Sequence, residues 1–305
     1  MEHLASDRYE EAAKLLPQRL RALALELSPE LKHSAEEIRL RAGEPMTVLI
    51  ERKEIPVGGK EQAVRQEDLE TLCNIVTDFS RYAVTDTLRQ GYLTAEGGFR
   101  VGVCGAAVIK NGTNALLRDF SSMCIRISRQ RVGLALPLLD ALYTGAVPES
   151  TLVIAPPGFG KTTLLRDLVR CLSDGTELHS PLRVALVDER GEIACMRRGR
   201  AQMDIGRHTD VLDGVPKAEG MEMLLRAMNP DVIAVDEITV HADLHAMAKA
   251  ANCGVKLLAS IHASDREELL SRPLFTHLKQ LKVFRKAIII RMEKGERRYA
   301  VEDLT

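Results

Sequence analysis

Ala155-Pro156-Pro157-Gly158-Phe159-Gly160-Lys161-Thr162 stands between the apolar run Thr151–Ile154 and a helix-forming stretch, Lys161–Leu172. It matches Gly-x-x-x-x-Gly-Lys-[Ser/Thr], with the small residue Ala155 in the first position. Gly158 and Gly160 free the backbone to turn so that its N–H groups converge on phosphate oxygens. Lys161 offers a cation to β- and γ-phosphates, and the Thr162 hydroxyl suits Mg²⁺. The helix that follows turns its positive end toward the same anion. A buried strand, a glycine loop and a helix are the context this motif requires. Ala155 through Thr163 are therefore read as the binding loop for a nucleotide.

Working outward, the flanking segments alternate. Thr151–Ile154, Val184–Val187, Val232–Val235 and Lys256–Ile261 read as strands. Leu134–Leu142, Lys161–Leu172, Ala218–Met228 and His241–Ala251 read as helices. Ala287–Met292 and Arg298–Val301 read as a closing hairpin. Continuous apolar strands between helices imply a parallel sheet covered on both faces. The expected fold is α/β, a RecA-like P-loop domain over residues 132–305 behind a smaller α+β domain over residues 1–131. In the first region a helix is expected over Glu10–Leu27 and another from Gln66 to about Phe79. Strands are expected at Glu37–Leu40, Met46–Ile50 and Phe99–Val108, with a tight hairpin at Asn111-Gly112. Gly98, Gly102 and Gly105 are spaced unlike a dinucleotide fingerprint and read as part of a twisted strand pair.

Hydrolysis needs a held Mg²⁺ and an oriented water. The strand Val232–Val235 delivers Asp236 and Glu237 at its carboxyl edge, where α/β sheets place ligands. Asp236 is assigned to the metal and Glu237 to the water. Val184–Val187 likewise ends in Asp188 and Glu189. One of that pair faces the metal and the other serves catalysis, or both are solvated loop acids. Arg126, Arg129 and Arg131 form either a solvated basic linker or a set of which one or more reaches bound ATP. His241 and His245 lie four apart on a helix, but Ala242 replaces the glutamate of a zinc-protease motif, so no zinc is expected.

Composition narrows the classes. The chain has 305 residues, 45% hydrophobic and 28% charged, with a formal net charge of -1. That balance gives no global field toward nucleic acid, and 4% aromatics without Trp leaves few stacking platforms. No nucleic-acid partner is expected. The six cysteines lack a C-x-x-C spacing and read as reduced, so the chain is expected to be cytoplasmic. No signal-peptide pattern opens it, and no apolar run reaches the roughly 20 residues a membrane span needs.

The order phosphate loop, acidic pair Asp188-Glu189, Asp231–Glu237 and Lys256–Ala263 resembles the secretion-ATPase superfamily, the ring motors of type II and type IV secretion and pilus retraction. Arg226–Asp231 matches that family's run into its second acidic strand, and Ile38–Pro45 resembles the opening of its N-terminal domain. Asp236 stands where the family usually has Gly, and the acidic pair reads Asp-Glu rather than Glu-Asp. Within the superfamily, Ile125–Arg129 and Val187–Ala194 carry a likeness to a branch of sporulation proteins. The resemblance implies a ring of six subunits binding ATP between two domains, with His262 near the γ-phosphate coupling nucleotide to domain movement. It also implies a peripheral place in the mother cell, on membrane proteins of a channel complex that joins it to the forespore. Alternatives from other classes are a nucleotide-gated scaffold, a nucleic-acid-linked P-loop ATPase and a small-molecule kinase. No acceptor lid follows the core to favour the kinase. No Asn-Lys-x-Asp guanine reader is present, which favours ATP over GTP.

Overall fold

The computed structural model describes residues 2–78, 88, 91–110, 113–127, 129–271, 273–293 and 295–304. The chain forms two compact units. One comprises residues 1–129 with 195–202, the other residues 130–194 with 203–305.

The first unit begins with helices Glu2–Ala13, Gln18–Leu25 and Pro29–Ser34. The single helix expected over Glu10–Leu27 is thus two. Pro17 has no N–H to donate and its ring crowds the preceding turn, so the second helix restarts behind it. An antiparallel sheet follows, built from β1 (Glu37–Arg41), β2 (Met46–Ile50), β3 (Lys53–Val57), β4 (Tyr92–Thr94), β5 (Arg100–Lys110) and β6 (Thr113–Arg126). Their order is β3-β2-β1-β6-β5-β4. The helix Gln66–Val76 is shorter than expected; Phe79 and the turn Asn111-Gly112 lie outside the described residues. Gly102 and Gly105 lie along β5, as the twisted-pair reading has it, whereas Gly98 ends the short turn Glu96–Gly98 that precedes the strand. At Gly105 a Cβ would come within 2.6 Å of the Arg118 carbonyl, so only glycine fits where the strand pair shifts register. Tyr9, Leu16, Ile38, Leu40, Phe99 and Phe120 are among the core residues.

The second unit opens with the helix Leu136–Leu142 and the short pair β7 (Tyr143–Thr144) and β8 (Val147–Pro148). Its main sheet contains β9 (Thr151–Ala155), β10 (Val184–Asp188), β11 (Thr209–Asp213), β12 (Val232–Val235), β13 (Lys256–His262), β14 (Lys286–Glu293) and β15 (Glu296–Asp303). The order is β11-β10-β12-β13-β9-β14-β15, parallel except for the terminal β14–β15 hairpin. Every residue of β9, β10 and β12 is buried, as strands covered on both faces require. β9 lies between β13 and β14 in the middle of the sheet. The loop after it therefore opens at the carboxyl edge between β13 and β14, with the end of β12 one strand beyond β13. Ile154, Val187, Val235, Ile261 and Ile289 belong to one core cluster beneath that edge.

Candidate functional site

The chain leaves β9 at Ala155, turns through Gly158 (φ +80) and Gly160 (φ +94), and enters the helix Lys161–Asp174. Both glycines occupy left-handed backbone that a side chain would strain. Gly160 is the residue directly before the helix, so the free N–H groups of the first turn face the loop.

Lys161 is buried, at 6% exposure. Its Nζ donates to the carbonyls of Ala155 (2.9 Å) and Pro156 (3.1 Å) and to Nδ1 of His262 (2.5 Å). An ammonium has three protons and no lone pair, so these contacts saturate it. The accepting Nδ1 then leaves the ring proton on Nε2, which lies 3.0 Å from Oε1 of Glu237. Lysine, histidine and carboxylate form one relay across β9, β13 and the end of β12. Burial pulls the Lys161 pKa down to about 8, against the opposing pull of Glu237 and Asp236.

Asp236 is oriented from three sides. Its Oδ1 accepts from Ser260 Oγ (2.7 Å) and the Glu237 N–H (2.9 Å), and its Oδ2 accepts from Thr162 Oγ1 (3.2 Å). The hydroxyl of the loop and the carboxylate of β12 thus stand side by side. Hydroxyl and carboxylate oxygens are the donors that a hard divalent cation prefers, so this pair fits Mg²⁺ with water and phosphate completing the shell. Ser260 is fully buried in β13 and also accepts from the Glu237 N–H (3.0 Å). A lone serine inside an apolar strand was the sequence signal for it. Glu237 also meets Arg190 at 3.3 Å.

The other acidic pair is arranged differently. Asp188 is 1% exposed, and its two oxygens accept backbone N–H groups from Glu192, Ile193 and Ala194 at 2.8–3.2 Å. Burial raises its pKa while those bonds hold it down. The carboxylate is spent on the turn that follows β10. Arg166, buried on the loop helix, donates to the Glu192 and Ile193 carbonyls of the same turn (2.6 Å each). Glu189 pairs with the buried Lys217 at the start of the helix Lys217–Ala227. Neither Arg166 nor Lys217 was singled out from sequence, because a cation in a helix reads as surface. Arg129 donates to the carbonyls of Lys32 (3.2 Å) and His33 (2.7 Å), at the end of the helix Pro29–Ser34 in the first unit. Arg126 is exposed at the end of β6, opposite Glu37 and Arg100. His241 and His245 are exposed on the helix His241–Asn252, and no group of three or more metal-ligating residues occurs among the described residues.

A family profile described as "Sporulation stage III, protein AA" matches residues 6–300. The "Stage III sporulation protein AA" of Bacillus subtilis (strain 168) is 38% identical over 285 residues, covering 93% of this chain and 92% of that protein. Among solved structures, the Legionella pneumophila ATPase DotB is 18% identical with a TM-score of 0.58, over 90% of this chain and 79% of its own. The pilus retraction motor PilT, solved with bound ADP, is 17% identical with a TM-score of 0.59, over 88% of this chain and 79% of its own. At those identities the two structures speak for the fold: an N-terminal domain followed by a RecA-like domain with a mostly parallel sheet. No described helix is long and apolar enough to cross a membrane.

Proposed function

The chain belongs to the sporulation stage III, protein AA family, and we propose that it is a Mg²⁺-dependent ATP-hydrolysing motor of a sporulation channel complex. The observation that carries this reading is the contact between Thr162 Oγ1 and Asp236 Oδ2, 3.2 Å, at the mouth of the glycine loop. It joins the hydroxyl of one motif to the carboxylate of another, 74 residues apart in sequence, in the pairing that a nucleotide-bound Mg²⁺ needs. A bound cation would supply charge neutralisation to the phosphates; Thr162 and Asp236 would hold it, and Ser260 keeps Asp236 aimed.

The remaining residues act on the nucleotide and on water. Backbone N–H groups of residues 155–163 and the Lys161 ammonium hold the phosphates. Glu237, its backbone fixed by Asp236 and Ser260, orients the attacking water and accepts its proton. His262 donates from Nε2 to Glu237 and holds that carboxylate in line. Because the Lys161 protons are already shared with Ala155, Pro156 and His262, a phosphate competes for them. Taking one releases Nδ1 of His262 and changes what the ring can do on its other side. That competition is a physical route from phosphate to β13, and it supports His262 as the residue that couples nucleotide to movement.

The finer reading follows the family: domains at residues 1–131 and 132–305, a homo-hexameric ring with ATP between domains, and a peripheral place on membrane proteins at the mother-cell face. Arg126 and Arg129 are candidates for sensing the nucleotide from the N-terminal domain. Asp188 keeps the turn after β10, which leaves Thr162 and Asp236 as the proposed cation ligands. Equilibrium binding of ATP with and without Mg²⁺ tests the core of the proposal. Affinity for the parent should rise with Mg²⁺, and Asp236→Ala should remove that increment while retaining metal-free binding. An increment that survives the substitution would refute the assignment.

A further inference from the structure

β9 and β14 run parallel, with Ile154 opposite Ile289 at the last matched pair. β9 then turns away into the glycine loop, while β14 continues to Glu293 before β15 returns antiparallel to it. The hairpin therefore overhangs the carboxyl edge of the sheet on the side of the loop. Its arginines are divided between two faces. Arg291 and Arg298 are directly opposite each other, and they pair with Glu302 (3.6 Å) and Glu296 (3.1 Å). Arg297 is opposite Met292 on the alternate face. Its guanidinium lies against the loop: a Cβ built on Gly160 would stand 3.4 Å from Arg297 Nε and 3.6 Å from its Cζ. Arg297 is exposed, and among the described residues no carboxylate is paired with it.

We propose that Arg297 is a nucleotide-contacting residue supplied from the same chain, closing on the phosphates held by the loop. The inference rests on the proposed nucleotide site and adds a residue to it. A guanidinium presents a planar fork of donors that matches phosphate oxygens, and this one sits beside the last residue before the helix N-terminus, where a phosphate is drawn. It complements Lys161, which reaches the same region from beneath.

The test is equilibrium titration of a fluorescent ADP analogue and of ATP into the full chain with Mg²⁺, for the parent, Arg297→Ala, Arg297→Lys and Arg298→Ala. Arg297→Ala should weaken both nucleotides by about 10–100-fold, the range for losing a charge-assisted hydrogen bond. Arg297→Lys should recover part of that loss, and Arg298→Ala should match the parent. Melting midpoints without nucleotide should agree among all four, while the upward shift on adding ADP should shrink for Arg297→Ala. Parent-like affinity in Arg297→Ala overturns the inference alone. Equal loss in Arg298→Ala, or a lowered nucleotide-free midpoint in Arg297→Ala without recovery by lysine, overturns it in favour of a structural hairpin. A parent that binds no nucleotide overturns both this inference and the site on which it rests.

Discussion

Replacing Asp188 with Asn separates a structural acid from a catalytic one. The carboxylate ends β10 almost fully buried and satisfies three consecutive backbone donors, Glu192, Ile193 and Ala194. Asn keeps the shape but offers one acceptor oxygen and turns an NH₂ toward at least one N–H that had a partner. A hydrogen bond to a charged group contributes about 1.5–3 kcal/mol, and a buried donor left unmade costs a further 1–3 kcal/mol or so. Against this, burial already disfavours the charge, as its raised pKa records, and the neutral amide is relieved of that cost. The net expectation is a loss of about 2–4 kcal/mol, with Asp188→Ala at the upper end. The assay is urea unfolding followed by far-ultraviolet circular dichroism, alongside ADP binding with Mg²⁺ at low urea. The folded variant should bind within a few-fold of the parent. Parent-like stability with a collapse of Mg²⁺-dependent affinity would refute this reasoning and return Asp188 to the cation.

Lys161→Ala should abolish tight nucleotide binding, measured by the same titration, because it removes the cation from the loop. In the parent, the Lys161 pKa of about 8 lies below that of a free lysine, so the ammonium persists below about 8 and is lost as pH rises through it. Nucleotide affinity should therefore hold at neutral pH and fall by up to about tenfold per pH unit above 8; an affinity flat to pH 10 would contradict the burial argument. His262→Ala should fold and bind ATP yet lose nucleotide-dependent change in domain arrangement, read by small-angle scattering with ADP and with a non-hydrolysable ATP analogue. Arg126→Ala should lower turnover and ATP-dependent assembly, read by light scattering and phosphate release, with the monomer folded. Arg129→Ala should add a loss of stability, since it also removes the donor at the end of the helix Pro29–Ser34.

The central layers of the second unit were legible because each signal was local. A run such as Leu152–Ile154, placed just before a glycine loop and a helix, reads as a covered strand, and the loop after it is defined by backbone needs that glycine alone meets. β11 was missed for the opposite reason: Thr209–Asp213 is a sheet-edge strand, half exposed and carrying two aspartates, with no continuous apolar run. The break at Pro17 was visible in the sequence and outweighed by the leucine periodicity on either side. In the site, loop residues and acids at strand ends could be named from type and spacing. The contacts that orient them could not, since Ser260 and Arg166 reach their partners from elements far along the chain. Asp188 illustrates the limit: an acid at a strand end looks the same in sequence whether it faces a cation or a row of backbone N–H groups.

The most direct test of the account is phosphate release from ATP by the purified chain with Mg²⁺, measured beside Glu237→Gln while binding of ATP to both is followed. The account predicts turnover by the parent, and a variant that keeps ATP affinity within a few-fold but releases phosphate at least about 100-fold more slowly, the scale expected for losing the group that directs the water. Release by Glu237→Gln at the parent rate would contradict it.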